Sequence, residues 1–112
     1  MDDQEFDAAL EKYVRHLVAE QNASPHTVDN YKREVRQFLT FAQAQGVSSL
    51  DGITPALLRR WLAWLHEKKY VKASVIRRVS EVRSFLGFLH RLGIIDSNPA
   101  MSVSSPKAPQ RL

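Results

Sequence analysis

Residues 24–45 read SPHTVDNYKREVRQFLTFAQAQ, and this stretch decides the fold because it carries a complete set of helix signals. Ser24 belongs to the residue types preferred at the N-cap, where the hydroxyl accepts a hydrogen bond from a free backbone N–H. Pro25 suits the first helical position, since its missing N–H has no partner to lose there. Gly46 is the residue type that closes helices in the left-handed conformation. The stretch therefore predicts a long helix from Ser24 to Gln45.

The predicted helix has two faces. At about 100° per residue, its apolar and polar side chains fall on opposite sides. The apolar stripe consists of Val28, Tyr31, Val35, Phe38, Leu39 and Ala42, and the polar face of His26, Asn30, Arg33, Gln37 and Thr40. The stripe is predicted to pack, which leaves the polar face either to recognise a partner or to serve as an ordinary solvated surface.

Three further helices are predicted from apolar side chains at helical spacing. The third begins at Thr54-Pro55, a start of the same type, and it is apolar enough that Trp61 and Trp64 are interpreted as core residues. Residues 104–112, SSPKAPQRL, lack apolar periodicity and predict an extended linker. The sequence thus predicts an all-α fold, with the remaining helices at about 3–21, 54–69 and 73–92 and a short turn at 98–103.

Length and composition exclude several classes of protein. A chain of 112 residues, 44% hydrophobic and 25% charged, is typical of one globular domain with a modest core. The absence of cysteine excludes disulfides and thiolate metal sites. No apolar run approaches the roughly 20 residues that span a bilayer, and the acidic start MDDQEFD is unlike a signal peptide. We therefore expect a cytoplasmic protein with no membrane partner.

Positive charge is concentrated after the first helix. Six acidic and two basic side chains give residues 1–20 a net charge of −4. Because the whole chain has a net charge of +4, residues 21–112 carry a net charge of +8. Such asymmetry favours a polyanionic partner, because binding to phosphates releases condensed counterions. The acidic first helix is predicted to turn away from that partner, towards solvent or another protein.

The fourth predicted helix repeats the two-faced pattern of the second. Arg77, Ser80, Ser84 and Arg91 lie opposite its apolar seam, with Arg78 at the margin. Ser74, near the start, is interpreted either as a cap or as a phosphate contact. Two helices with such faces would grip one duplex, and guanidinium groups read guanine in the major groove.

Catalytic and metal sites receive little support. The four histidines show no paired ligand spacing and no glycine-rich phosphate loop is present, so no metal or cofactor is predicted. Tyr13, Tyr31 and Tyr70 are interpreted as packing groups rather than nucleophiles.

Three segments together resemble the N-terminal core-binding domain of Xer-type tyrosine recombinases: SPHTVDNYKREVRQFLTF, DGITPALLRRWLAWL and ASVIRRVSEVRSFLGFLHRLGIIDSNPAMSVSSPKAPQRL. The resemblance implies a four-helix, SAM-like orthogonal bundle over residues 1–103. It implies a linker at 104–112 that leads to a catalytic domain absent from this chain. The chain itself is then expected to be no enzyme.

The resemblance also implies a function and a set of contacts. The expected role is to clamp a double-stranded recombination half-site for chromosome dimer resolution, in a heterotetramer with a sister recombinase, XerD. The residues that match the DNA-facing positions are Ser24, His26, Thr27, Asn30, Arg33, Ser74, Arg77, Arg78 and Arg83. Lys107 and Arg111 in the linker are expected to follow the DNA backbone or simply to be solvated.

Several alternatives stay open. Thr27 is as well explained by capping its own helix, and Arg83 by an intramolecular ion pair with a carboxylate. The parent protein is alternatively a phage or integron integrase. A helical protein-interaction module that docks through its acidic first helix, and an independent enzyme, are the other functional classes.

Overall fold

A computed structural model of the chain describes residues 3–103, which fold into four α-helices and two short 3₁₀ turns. The all-α prediction is confirmed, and the described range contains no strand. The predicted linker, with Lys107 and Arg111, lies outside the described residues. The helices are α1 (Asp3–Ala19), α2 (Pro25–Ala44), α3 (Pro55–Glu67) and α4 (Lys72–Arg91), and the 3₁₀ turns are Leu50–Gly52 and Pro99–Ser102.

The predicted starts of α2 and α3 are confirmed by their capping geometry. The Ser24 hydroxyl accepts from the Thr27 backbone N–H at 3.2 Å, and the Thr54 hydroxyl accepts from that of Leu57 at 3.1 Å. Gly46 ends α2 with a φ of +93°, a conformation that other residues adopt only with strain. Local sequence chemistry therefore determines where these two helices begin and where α2 ends.

The other boundaries differ from the prediction by one or two residues. The first helix ends at Ala19 rather than Gln21, because Asn22 turns the chain with a φ of +51°. The third ends at Glu67, before Lys69 adopts a φ of +62°. The fourth begins at Lys72, one residue early.

Aromatic side chains form the centre of the core, and α2 lies in the middle of the bundle against α1, α3 and α4. Phe38 meets the ring of Trp61 edge-on at a centroid distance of 4.9 Å, and Tyr13 meets Phe85 in the same way at 5.4 Å. Fully burying a large apolar side chain contributes about 1.5–3 kcal/mol, and twenty-six hydrophobic residues of the described range are buried. This core fixes α2 and α4 side by side and so positions the surface between them.

Both tryptophans belong to the core, although to different degrees. Trp61 is fully buried, whereas Trp64 is half-buried and packs its ring on Phe41 with centroids 5.3 Å apart. The ammonium group of Lys68 lies over the same side chain, 5.3 Å from the ring centroid of Trp64. No helix within residues 3–103 is long and apolar enough to cross a membrane.

Candidate nucleic-acid interface

A groove of about 410 Å³ runs between α2 and α4. Three of the residues predicted to face DNA line it, namely Thr27, Asn30 and Arg77. The helix positions explain this convergence, since side chains three or four apart lie on one face of a helix. The other lining residues are Tyr31 from α2 and Ala73, Ile76, Ser80 and Glu81 from α4.

The first turn of α2 lies at one end of this groove, which it lines through Thr27. The hydroxyls of Ser24 and Thr27 lie 3.0 Å apart, and Ser24 caps the helix while both groups stay accessible at the surface. Thr27 is thus the capped residue and not the cap, so its capping alternative is wrong. His26 is exposed between them. The three side chains present hydroxyl and imidazole groups at a helix N-terminus, where anions bind favourably.

Asn30 and Arg33 continue the polar face one turn further on. The Arg33 guanidinium donates to the Asn30 side-chain oxygen at 2.7 Å, which orients the amide nitrogen away from Arg33. Arg33 is exposed and lines a second groove, of about 440 Å³, towards α3. The polar face predicted for α2 is therefore divided between two neighbouring grooves.

Arg77 and Arg78 of α4 are held by a carboxylate that was not among the predicted site residues. Glu34, only 4% exposed, accepts from Arg77 through Nε at 3.1 Å and Nη2 at 2.8 Å, and from Arg78 at 2.7 Å. The side chain of Arg77 is 52% exposed, whereas that of Arg78 is 12% exposed. Arg77 is thus presented to the groove, and Arg78 is a buried counter-charge.

Arg78 has a further partner that explains its burial. Its guanidinium carbon lies 4.2 Å from the centroid of the Tyr70 ring, a favourable cation–π arrangement. The Tyr70 hydroxyl in turn accepts from the Gln37 amide at 2.9 Å. Gln37 was predicted to lie free on the polar face, but it is half-buried and joins α2 to the segment before α4.

A second buried carboxyl group lies beside Glu34. Glu81 is 2% exposed and hydrogen-bonds to Glu34. Burial would raise the pKa of Glu34, but the hydrogen bonds from Arg77 and Glu81 and the charge of Arg78 outweigh it and hold this pKa at about 2. Burial, together with the bond to Glu34 and its negative charge, raises the pKa of Glu81 to about 8. At pH 7 one proton therefore resides on Glu81 and is donated to Glu34.

The sequence does contain a signal for both carboxylates. Glu34 lies three residues after Tyr31 and four before Phe38, inside the apolar stripe of α2. Glu81 follows Arg77 by four residues and Arg78 by three, so all three share one face of α4. A carboxylate inside an apolar stripe is buried only when paired, so the pattern predicts a basic partner for Glu34 without identifying it.

Ser74 and Arg83 do not line the α2–α4 groove, unlike Arg77. Ser74 is the third residue of α4 and half-buried, so it is not the cap that one alternative required.

Arg83 donates from Nη1 to the carbonyls of Ala100 and Val103, both at 2.9 Å. These acceptors are carbonyls and not the carboxylate of the ion-pair alternative, which is therefore wrong in its partner. Arg83 holds the C-terminal turn on the α3 side of the bundle.

The tyrosines behave as packing groups, as predicted. Tyr13 is fully buried and donates its hydroxyl to Ser84 at 2.7 Å, while burial raises its pKa well above the usual range. Burial likewise raises the pKa of Tyr31. Within residues 3–103, no group of three histidine, aspartate or glutamate side chains is placed to hold a metal ion.

Comparison with known proteins identifies what the chain is similar to. A family profile described as "Phage integrase, N-terminal SAM-like domain" matches residues 10–93, which include all of α2, α3 and α4. No solved structure gives a significant match.

Curated relatives of the chain carry the name tyrosine recombinase XerC, and three of them show the extent of the similarity. The protein of Halalkalibacterium halodurans is 33% identical over 106 residues, which cover 95% of this chain and 35% of the relative. That of Oceanobacillus iheyensis is 35% identical, with 88% and 32% covered, and that of Pseudomonas syringae pv. syringae is 36% identical, with 96% and 36% covered. The chain thus spans about a third of the length of these relatives.

Proposed function

The chain belongs to the phage integrase N-terminal SAM-like domain family, and from this membership we propose that it binds duplex DNA for a site-specific tyrosine recombinase. The resemblance of its motifs to tyrosine recombinases is confirmed at the level of the family. The single observation that carries the proposal is the α2–α4 groove, which brings Thr27, Asn30 and the exposed guanidinium of Arg77 to one surface.

Phosphate contacts supply most of the proposed affinity. Arg77 offers a positive charge at the groove, and Arg33 offers a second one turn along the polar face of α2. The hydroxyls of Ser24 and Thr27 and the imidazole of His26 meet the backbone at the helix opening. Ser74 lies in the first turn of α4, and within the described chain no side chain caps that turn, so its N–H groups suit a phosphate oxygen.

Base contacts would come from the second turn of α2. Asn30 already accepts from Arg33, which leaves its amide N–H₂ to donate to a base edge. Adenine is the base that asparagine recognises best in the major groove. We therefore assign Asn30 to base recognition and the arginines to positioning on the backbone.

The acidic helix α1 is consistent with this orientation. Asp7 of α1 pairs with Arg36 of α2 at 2.9 Å, which neutralises one charge on the side of α2 away from α4. The described residues that line the α2–α4 groove come from α2 and α4, so the acidic helix contributes no carboxylate to that groove.

The finer assignment follows the resemblance to relatives named XerC. We propose that the domain clamps a recombination half-site for chromosome dimer resolution, and that the whole protein acts in a heterotetramer with an XerD-type sister recombinase. Strand cleavage would belong to a separate catalytic domain and not to residues 1–112. The proposed place of action is the cytoplasm, where the chromosome lies.

Selection from a random duplex library tests this function. The 112-residue chain should enrich a defined sequence, and fluorescence anisotropy should show binding that weakens steeply with salt, with a slope of about −0.9 per phosphate neutralised. Arg33→Ala should lower that slope by about one, whereas Arg15→Ala on α1 should leave it unchanged. Absence of binding to any duplex at low salt would overturn the proposal and favour the protein-interaction module. Binding without enrichment would overturn the half-site assignment.

A further inference from the structure

Arg77 carries a positive charge, and its guanidinium group is also held in a fixed orientation by Glu34. Glu34 engages its Nε and Nη2 together, a bidentate contact that fixes the plane of the guanidinium. The remaining Nη1 edge points away from that carboxylate, and more than half of the side chain is exposed to the groove. A guanidinium held in this way has lost most of its rotational freedom before any phosphate arrives, which lowers the entropy cost of binding.

Two buried carboxyl groups lie at the α2–α4 groove. Glu81 lines the groove, and Glu34 contacts it through Arg77, which also lines it. Glu34 comes from α2 and Glu81 from α4, and each is almost fully buried. Within the described chain, Oε1 of Glu81 and Nε of Arg78 have no hydrogen-bond partner. The network is therefore able to rearrange when its proton content changes, because unused donors and acceptors lie within it.

We propose that Glu34 and Glu81 form a proton-dependent positioning pair for Arg77, which presents the arginine to DNA while the pair holds one proton. When that proton leaves, Glu81 becomes a second carboxylate that competes with Glu34 and draws the guanidinium inwards. This inference rests on the proposed DNA-binding function and adds a control of affinity to it. Glu34 and Glu81 act through Arg77 and are positioning residues.

The charges around Glu81 support this behaviour. Tyr13 faces it from α1, Tyr31 and Glu34 from α2, and Arg77 and Arg78 from its own helix. The tyrosines are neutral across the relevant range because burial raises their pKa values. With the proton in place, two arginines and one carboxylate leave a charge of +1 at the groove. Without it the charge is zero, so a phosphate is attracted less strongly.

The pH dependence of binding tests the pair. For the wild-type chain, affinity for a fluorescein-labelled random-sequence 30-bp duplex should fall about tenfold between pH 7 and 9. Glu81→Gln keeps a donor to Glu34 but cannot lose its proton, so its affinity should stay constant over this range. Glu67→Gln, at an exposed position of α3, should behave as wild type. Equal pH dependence in the wild-type and Glu81→Gln chains would overturn the proposal.

A second variant separates positioning from charge. Glu34→Gln adds +1 to the net charge, as Glu67→Gln does, so a role through charge alone predicts tighter binding for both. Loss of the bidentate contact predicts weaker binding for Glu34→Gln, by about threefold to tenfold. Tighter binding by folded Glu34→Gln, verified by circular dichroism, would exclude positioning. If this variant does not fold, the isosteric Glu81→Gln still decides the question.

Calorimetry at pH 8 gives an independent readout. Because DNA favours the protonated pair, binding should take up a fraction of a proton, seen as a dependence of the binding enthalpy on the ionisation enthalpy of the buffer. This uptake should disappear in Glu81→Gln. If the wild-type chain binds no duplex, the proposed function fails. If it binds without proton uptake or pH dependence, only the positioning pair fails.

Discussion

The hydroxyl of Tyr13 donates to the hydroxyl of Ser84 across 2.7 Å and joins the first helix to the fourth. Tyr13 is completely buried and its ring also contacts Phe85 and Phe88, whereas Ser84 lies at the surface. The contact ties the acidic helix to a helix that we assign to DNA. Ser84 belongs to the predicted polar face of α4, but neither Ser84 nor Tyr13 lines the α2–α4 groove. Its contribution is therefore measurable as stability alone.

Removing this hydroxyl should lower stability modestly. Tyr13→Phe keeps the ring and leaves only the exposed Ser84 without its donor, so we expect a loss of about 1 kcal/mol. Tyr13→Ala also creates a cavity and should cost about 3–5 kcal/mol. Urea unfolding measures both, and duplex affinity of Tyr13→Phe should equal that of the wild-type chain. If Tyr13→Phe were as unstable as Tyr13→Ala, the hydroxyl and not the buried ring would supply most of the stability, which would contradict this prediction.

The two Ser/Thr-Pro helix starts offer a matched pair of cap variants. Ser24→Ala and Thr54→Ala each remove a hydroxyl that accepts a hydrogen bond from a backbone N–H. Each substitution should reduce the free energy of unfolding by about 1 kcal/mol. Their effects on DNA should differ, because only Ser24 lies at the proposed interface. Ser24→Ala should weaken duplex binding, whereas Thr54→Ala should not. Equal affinity for the two variants in an anisotropy titration would remove Ser24 from the proposed contacts.

The features that sequence predicted correctly are those set by local chemistry. The caps at Ser24 and Thr54 and the stop at Gly46 depend on residues within one turn of each other, and the pattern shows them directly. The convergence of Thr27, Asn30 and Arg77 needed only the helical period and two neighbouring helices. The Glu34 pairing was missed because it depends on which faces of α2 and α4 meet, and no single-helix pattern contains that information.

The same reason explains why Gln37 and Arg83 differ from expectation. Arg83 lies near the boundary between the polar and apolar faces of α4, whereas Gln37 lies on the predicted polar face of α2. Their partners are supplied by distant segments: Tyr70 for Gln37, and the carbonyls of Ala100 and Val103 for Arg83. Both side chains are half-buried, and a half-buried polar side chain takes whichever polar partner the tertiary fold brings to it.

Stability should depend on pH in opposite senses at the two buried carboxyls. The depressed pKa of Glu34, about 2, means that its contribution is present above its unfolded value of 4.5 and is lost as the pH falls towards 2. The raised pKa of Glu81, about 8, means that the folded state holds an extra proton between pH 4.5 and 8, so stability declines as the pH rises through that window.

Urea unfolding from pH 2 to 9 measures these two slopes. The wild-type chain should show a rise in stability from pH 2 to about 4.5 and a decline from there to about 8 through these two groups. Glu81→Gln should lose the decline and keep the rise. A decline of equal steepness in both chains would show that other groups cause it, and would remove Glu81 as the proton holder.

Arg83 provides the clearest choice between the sequence-based assignment and the contacts in the structure. The resemblance placed it among the DNA-facing residues, yet its guanidinium bonds the carbonyls of Ala100 and Val103 and so fixes the turn after Pro99. Arg83→Ala leaves two carbonyls without this donor and should cost about 1–3 kcal/mol in urea unfolding. Faster hydrogen exchange at Met101 and Val103, whose N–H groups bond within this turn, should accompany the loss.

The matched control is Arg59→Ala, which removes an equal charge from an exposed position of α3. If Arg83 acts through the turn, both variants should weaken duplex binding equally and slightly, because each lowers the net charge by one. A loss of affinity several-fold greater for Arg83→Ala, with unfolding unchanged, would restore Arg83 to the DNA contacts. The two outcomes differ because a guanidinium that holds two carbonyls of the turn through Nη1 contributes to stability, whereas one that contacts a phosphate contributes to affinity.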